Sequence, residues 1–164
     1  MLKIGTTATL VSDYIVLYSE DPAIDKTVEG FQDIWSEYMQ TGDHSKIPIK
    51  SGQEVTRFKL RHLRGRVKRM LQDKIRASAV DDSLSPTAVF DACQIALVEC
   101  ENFVDASGQE IEIESKFDKK MNIDVVSEET MVVLDSVRDE DGNEGALINE
   151  IGLRAIMSMA PSPL

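Results

Sequence analysis

Residues 54–76, EVTRFKLRHLRGRVKRMLQDKIR, change their hydrophobic period once, at Gly65. Before it, Val55, Phe58 and Leu60 interleave with Arg57, Lys59 and Arg61, so much of the stretch has the two-residue alternation of a half-buried strand. After it, Val67, Met70, Leu71 and Ile75 fall on one side of a helix, with Arg69 and Arg76 roughly opposite at about 100° per residue. Such a segment must bury one face of a strand and one stripe of a helix in the same core, which commits the chain to a fold that layers sheet and helix. The buried side is apolar and the outward side is basic.

That outward side is at odds with the rest of the molecule. Residues 57–76 hold nine lysines and arginines against one acid, Asp73, in a chain of formal net charge −11. With 18 basic and 29 acidic residues in all, nine bases and 28 acids remain elsewhere, a balance of −19. The acidic bulk disfavours long-range attraction to nucleic acid or to a membrane surface, so a polyanionic partner would have to be met locally by the basic segment. Arg57, Lys59, Arg61, Arg64, Arg66, Lys68, Arg69 and Arg76 are the candidate partner-binding residues.

The remaining pattern predicts one α+β domain spanning residues 1–164, with an N-terminal β-hairpin, a small antiparallel sheet and four to five amphipathic helices. LKIGTTATLV and DYIVLYSE read as the hairpin strands around Ser12 and Asp13. Asp21 and Pro22 offer a cap and a first-turn proline for a helix carrying Val28, Phe31, Trp35 and Tyr38 to Gly42. TGDHSKIPIKSGQE is a loop by composition. Ser85 and Pro86 start a second capped helix with Val89, Cys93, Ala96, Leu97 and Cys100 on one side. NFVDASGQEIEIE turns at residues 106–108 between strand-like flanks, and Ser127 with Glu128 and Glu129 opens a further helix. ALINEIGLRAIMSM closes the pattern, with Leu147, Ile151 and Ala155 in one row. No apolar run of bilayer length and no basic leader before a long apolar stretch is present, so the expectation is a soluble protein made inside the cell, without membrane contact.

Motifs that carry chemistry are sparse. Asp139, Asp141, Asn143 and Glu150 match the first, third, fifth and twelfth ligands of an EF-hand, but the sixth position is Glu144, and the turn glycine comes one residue late at Gly145. A solvated acidic loop is the expectation and calcium the lesser alternative. Cys93 and Cys100, seven residues apart in one predicted helix, would lie about 10 Å from each other, too far to bridge. Without CxxC or a nearby histidine they read as buried reduced thiols, with metal or redox use the lesser alternative. His44 and His62 lack ligand-spaced companions, and no nucleophile elbow, zincin, P-loop or dinucleotide fingerprint occurs. The expectation is a non-enzyme with no cofactor and no metal.

Three pieces, TRFKLRHL leading into a helix, ENFVDASGQEIEI with its glycine turn, and the closing INEIGLRAIMSM, resemble small morphogenesis proteins of tailed bacteriophages, particularly the tail assembly chaperone group. The resemblance spans residues 56–164 and implies an assembly factor, or a small structural subunit of the tail or head-tail region. Its partners would be other phage structural proteins and copies of itself, in the host cytoplasm during assembly or retained in the virion. Cys100 and Glu101 stand where that pattern has Trp or Gly, and the N-terminal strands and the Trp35 helix have no counterpart in it. The alternative from another class is a nucleic-acid-contacting accessory domain using residues 57–76; Phe58, on the apolar face, is that segment's only aromatic besides His62.

Overall fold

A computed structural model describes residues 13–78 and 84–159. Strands β1 (Tyr14–Leu17), β2 (Arg57–Leu60) and β3 (Leu97–Glu101) form an antiparallel sheet in that order, and β4 (Ser115–Asp118) pairs with β5 (Ile123–Val126) in a separate hairpin. The helices are α1 (Phe31–Thr41), α2 (Gly65–Ser78), α3 (Pro86–Ala96), α4 (Glu128–Asp135) and α5 (Ala146–Ser158). This is an α+β fold. The first strand of the predicted N-terminal hairpin lies outside the described residues.

Two apolar clusters meet across β1, because its side chains alternate between the two faces of the sheet. Val16 joins the larger cluster, with Phe58, Leu60, Leu71, Leu97 and Ile151 among its members. Leu17 faces a smaller one formed with Ala23, Ile24, Phe31, Tyr38 and Val55. Tyr38 of α1 fastens this smaller cluster to β1 by accepting a hydrogen bond from the Leu17 amide at 2.9 Å. Helix α3 lies in the larger cluster against α5, α2 and β5. No helix among the described residues is long and apolar enough to cross a membrane.

Several predicted boundaries hold for the expected physical reasons. Gly65 has φ +55°, a left-handed conformation that suits glycine, and α2 begins there. Ser85 caps α3 by accepting from the Ala88 amide, and Ser127 caps α4 by accepting from the Thr130 amide.

Two boundaries differ. The helix expected from Asp21 and Pro22 begins only at Phe31, after Gly30 in a left-handed conformation. Residues 23–25 instead pair with 48–50: Ile24 and Ile49 form a bridge, Asp25 N donates to Pro48 O, and Lys50 N donates to Ala23 O. Those bonds take the backbone groups a helix needs. Asp21 accepts from Ala23 N at 2.9 Å and from Thr56 N at 2.8 Å, so its carboxylate fastens two loops together. The second difference is at α3, which stops at Ala96; Leu97–Glu101 become a strand because the free edge of β2 takes them up, with Phe58 opposite Cys100 and Lys59 opposite Glu99. Cys93 and Cys100 therefore do not share a helix. Cys93 is buried in α3, and Cys100 is half-buried on β3. The turn expected at residues 106–108 survives as a single bridge, Val104 to Glu110, with Asp105 accepting from the amides of Ser107 and Gln109.

Candidate functional site

The basic segment divides into two environments. On β2, Arg57 lies opposite Leu17 on one side and Glu101 on the other, and Lys59 lies opposite Ile15 and Glu99. The Lys59 ammonium sits 3.1 Å from the Glu99 carboxylate, and that hydrogen bond, followed by its charge, raises the lysine's pKa. The strand's basic row is thus bordered by two acids of β3 and by side chains that cover the smaller core, and is not an open basic face. Arg61 departs furthest from the expected outward position. It is half-buried, its Nη2 donates to the Asp124 carbonyl of β5 at 2.9 Å, and its Nε is buried with no partner among the described residues.

Helix α2 is different. The Arg66 and Arg69 side chains are exposed and make no hydrogen bond or ion pair among the described residues. Arg64 is exposed just before the helix, Lys68 is half-buried at the margin of the apolar stripe, and Arg76 stands 3.8 Å from Asp73 on the surface. The apolar side is set by Leu71, which is completely buried, with Val67 and Ile75 packed beside it. Packing of that stripe turns Arg66 and Arg69 toward solvent, as expected for a helix whose apolar residues recur every three to four positions.

The other predicted ligands are engaged elsewhere. Asp139 accepts from the amides of Asp141 and Asn143 at 3.0 and 2.8 Å, and Glu150 accepts from the Ser19 amide at 3.0 Å. The first and twelfth rungs of the EF-hand ladder thus hold backbone donors, and no group of three or more His, Cys, Asp or Glu side chains among the described residues is arranged to hold a metal ion. His62 packs its ring against Tyr14 at 4.7 Å, and His44 opens a short 3-10 turn, His44–Lys46. Burial pushes the Cys93 thiol up to about 12, and burial with the nearby charges of Glu110, Glu112 and Glu99 pushes Cys100 up to about 11.

One feature has no counterpart in any sequence motif. A cleft of about 420 Å³ opens between the turn after β1, the strand pair β2 and β3, and the loop before α5. Buried Tyr18, Phe58 and Leu147 form its floor, while exposed Glu54 and Val104 stand at its rim. Its charged lining is Glu20, Asp21 and Glu54 against Arg138 alone, and Arg138 is drawn to Glu144 at 3.4 Å. The Tyr18 phenol is held well above its ordinary range, by burial first, then by its bond to Glu20 and the charges of Glu20, Glu150 and Asp139. The cleft's residues come from segments far apart in the chain, so no spacing announces it.

No protein-family model, curated protein or solved structure matches the chain.

Proposed function

We propose that this chain is a non-enzymatic bacteriophage morphogenesis protein, an assembly factor or small structural subunit of the tail or head-tail region, working through protein-protein contacts made by α2. The observation that carries the reading is the pair Arg66 and Arg69, exposed on a helix whose opposite side is locked in the core and without an acidic partner among the described residues. Two unneutralised guanidinium groups on a rigid helix suit a complementary acidic protein surface, where charge sets orientation and encounter rate. Two of the three segments that resemble the phage group take forms in keeping with it: TRFKLRHL contains a strand that leads into a helix, and INEIGLRAIMSM lies in the last described helix, while ENFVDASGQEIEI forms a turn closed by a single bridge. The partners are other virion proteins and copies of this chain, met in the host cytoplasm during assembly.

The second reading, contact with nucleic acid, is favoured by one observation. The β4–β5 hairpin exposes Phe117, Lys119 and Lys120, an aromatic and two cations that could add to the charge of α2. Salt separates the two. The wild-type chain and Arg66→Glu/Arg69→Glu are measured against structural proteins encoded beside it, against random duplex and against single strands, over a salt series. Protein binding that falls gently with salt and is lost in the variant is expected. Nucleic-acid binding that falls steeply and linearly in log affinity against log salt, and is abolished in the variant, would replace the first reading with the second.

A further inference from the structure

We infer that the acidic cleft floored by Tyr18, Phe58 and Leu147 receives the exposed basic face of α2, with Arg66 and Arg69, from a second copy of the chain, making a head-to-tail contact. The inference rests on the reading of α2 as a protein-docking surface and names both the acceptor and the partner. Three observations lead to it.

The cleft is large enough for side chains to enter, and its apolar floor would lie against the stems of arginines. Its lining has three carboxylates to one guanidinium, and that guanidinium is already drawn to Glu144. Asp21 is engaged by two backbone amides, whereas Glu54 at the rim carries no hydrogen bond or ion pair among the described residues. A carboxylate at the rim of an apolar cleft is the chemistry that holds a guanidinium, through charge-assisted hydrogen bonds to its planar fork.

The donor is equally specific. Arg66 and Arg69 project from α2 with no ion pair among the described residues, although Asp73 and Asp91 pair with Arg76 and Lys74 of the same helix; Lys59, by contrast, is held by Glu99. No residue of α2 lines the cleft of its own chain, so the two surfaces lie apart on one molecule and can meet only between molecules. Because donor and acceptor are different patches, the contact is heterologous, and each bound copy leaves one free patch of each kind for the next. Association of this kind grows stepwise with concentration and weakens with salt.

A mixing experiment tests this geometry. Arg66→Glu/Arg69→Glu removes the donor and leaves the cleft; Glu54→Lys/Val104→Lys reverses the rim and leaves α2. All four positions are exposed, and circular dichroism with thermal melting verifies that both variants are folded. Sedimentation velocity of the full chain at low salt is expected to show stepwise oligomers that dissociate as salt rises. Each variant alone should associate at least about tenfold more weakly, as like charges replace opposite ones. The two variants mixed should form a one-to-one dimer that stops there, because the first supplies only a cleft and the second only a helix.

A wild-type chain that stays monomeric at every concentration and salt would overturn the inference. So would a cleft variant that assembles like wild type. If that happens while the α2 variant loses binding to a virion protein, the docking role of α2 stands and only the acceptor is wrong. If the α2 variant loses nothing against any protein, the proposed function fails with it. Higher oligomers from the mixture would exclude a contact between two unlike patches, and oligomers of the wild type that require added nucleic acid would assign the basic face to that ligand.

Discussion

Gly152 of α5 lies so close to Val89 of α3 that a methyl group on its Cα would come within 2.7 Å of Val89 Cγ1 and nearer still to the Val89 carbonyl oxygen. The contact sits at the centre of the helix pair, with Ile148, Ile151 and Ala155 of α5 and Ala92, Cys93 and Ala96 of α3 all buried around it. Exchanging glycine for alanine inside a helix ordinarily stabilises by up to about 1 kcal/mol. Here the added carbon meets backbone, which cannot swing aside. Gly152→Ala is therefore expected to destabilise by about 1–3 kcal/mol, the usual range for an overpacked core. Urea unfolding that shows a gain in stability would contradict so close an approach.

Arg61 and Arg69 come from the same basic segment and should behave oppositely. Arg61 ties β2 to the Asp124 carbonyl of β5 and is half-buried, whereas Arg69 is exposed with no partner among the described residues. Arg61→Glu would remove that tie and set a carboxylate beside a carbonyl, at a cost of about 1–3 kcal/mol. Arg69→Glu should change stability by no more than about 0.5 kcal/mol. Denaturant midpoints of the two variants give the comparison, and equal midpoints would show that Arg61 is as free as its position in the pattern suggests.

That contrast marks how far the sequence could be read. The strand and helix around Gly65 are legible because Phe58, Leu60 and Leu71 enter the core at the period of their own element. Which cations the fold engages is not legible, since the answer depends on the Glu99 carboxylate and the Asp124 backbone carbonyl arriving from elsewhere in the chain. The β4–β5 hairpin escapes notice for a different reason. All of β4 except Asp118 is exposed, so KFD has no buried alternation, and the turn is closed by Asn122 at φ +58° with Asp118 accepting from the amides of Lys120 and Met121, without a glycine. β3 carries a better signal: Glu99, Cys100 and Glu101 alternate exposed, half-buried and exposed directly after a helix. Helical spacing from Val89 to Cys93 and Ala96, continued to Cys100, conceals it.

Glu150 gives a pH dependence of known sign. Burial raises its carboxyl pKa, against the opposing effect of the Ser19 hydrogen bond. A group whose pKa is higher in the folded state binds its proton more tightly there, so ionising it costs stability as pH climbs from the unfolded value, about 4.3, through the raised folded value. Glu150→Gln keeps an oxygen for the Ser19 amide and removes the charge. The variant is expected to melt higher than wild type at pH 7, with the difference vanishing as pH falls below the unfolded value. A variant that is less stable at pH 7 would mean the ionised carboxylate is favoured in the fold.

The two thiols should report different depths of opening. A thiol reacts as its thiolate, and values pushed up to about 12 at Cys93 and about 11 at Cys100 leave little of either ionised near neutrality. Access separates them further. Cys93 has no exposed surface and lies beneath the contact of α3 with α5, so alkylation there requires the helix pair to part. Cys100 is half-buried on β3 and donates its S–H to the Ile111 carbonyl at 3.4 Å, a contact that local fraying of residues 102–111 can release. Iodoacetamide at pH 8 is therefore expected to label Cys100 slowly and Cys93 more slowly still, with the Cys93 rate following the global unfolding equilibrium as urea is added. In fully denaturing urea the two rates should converge. Cys93 labelling that outpaces Cys100 in the native protein, or that ignores urea below the transition, would place α3 outside the stable core and remove the support on which β2, β3 and the cleft beside them depend.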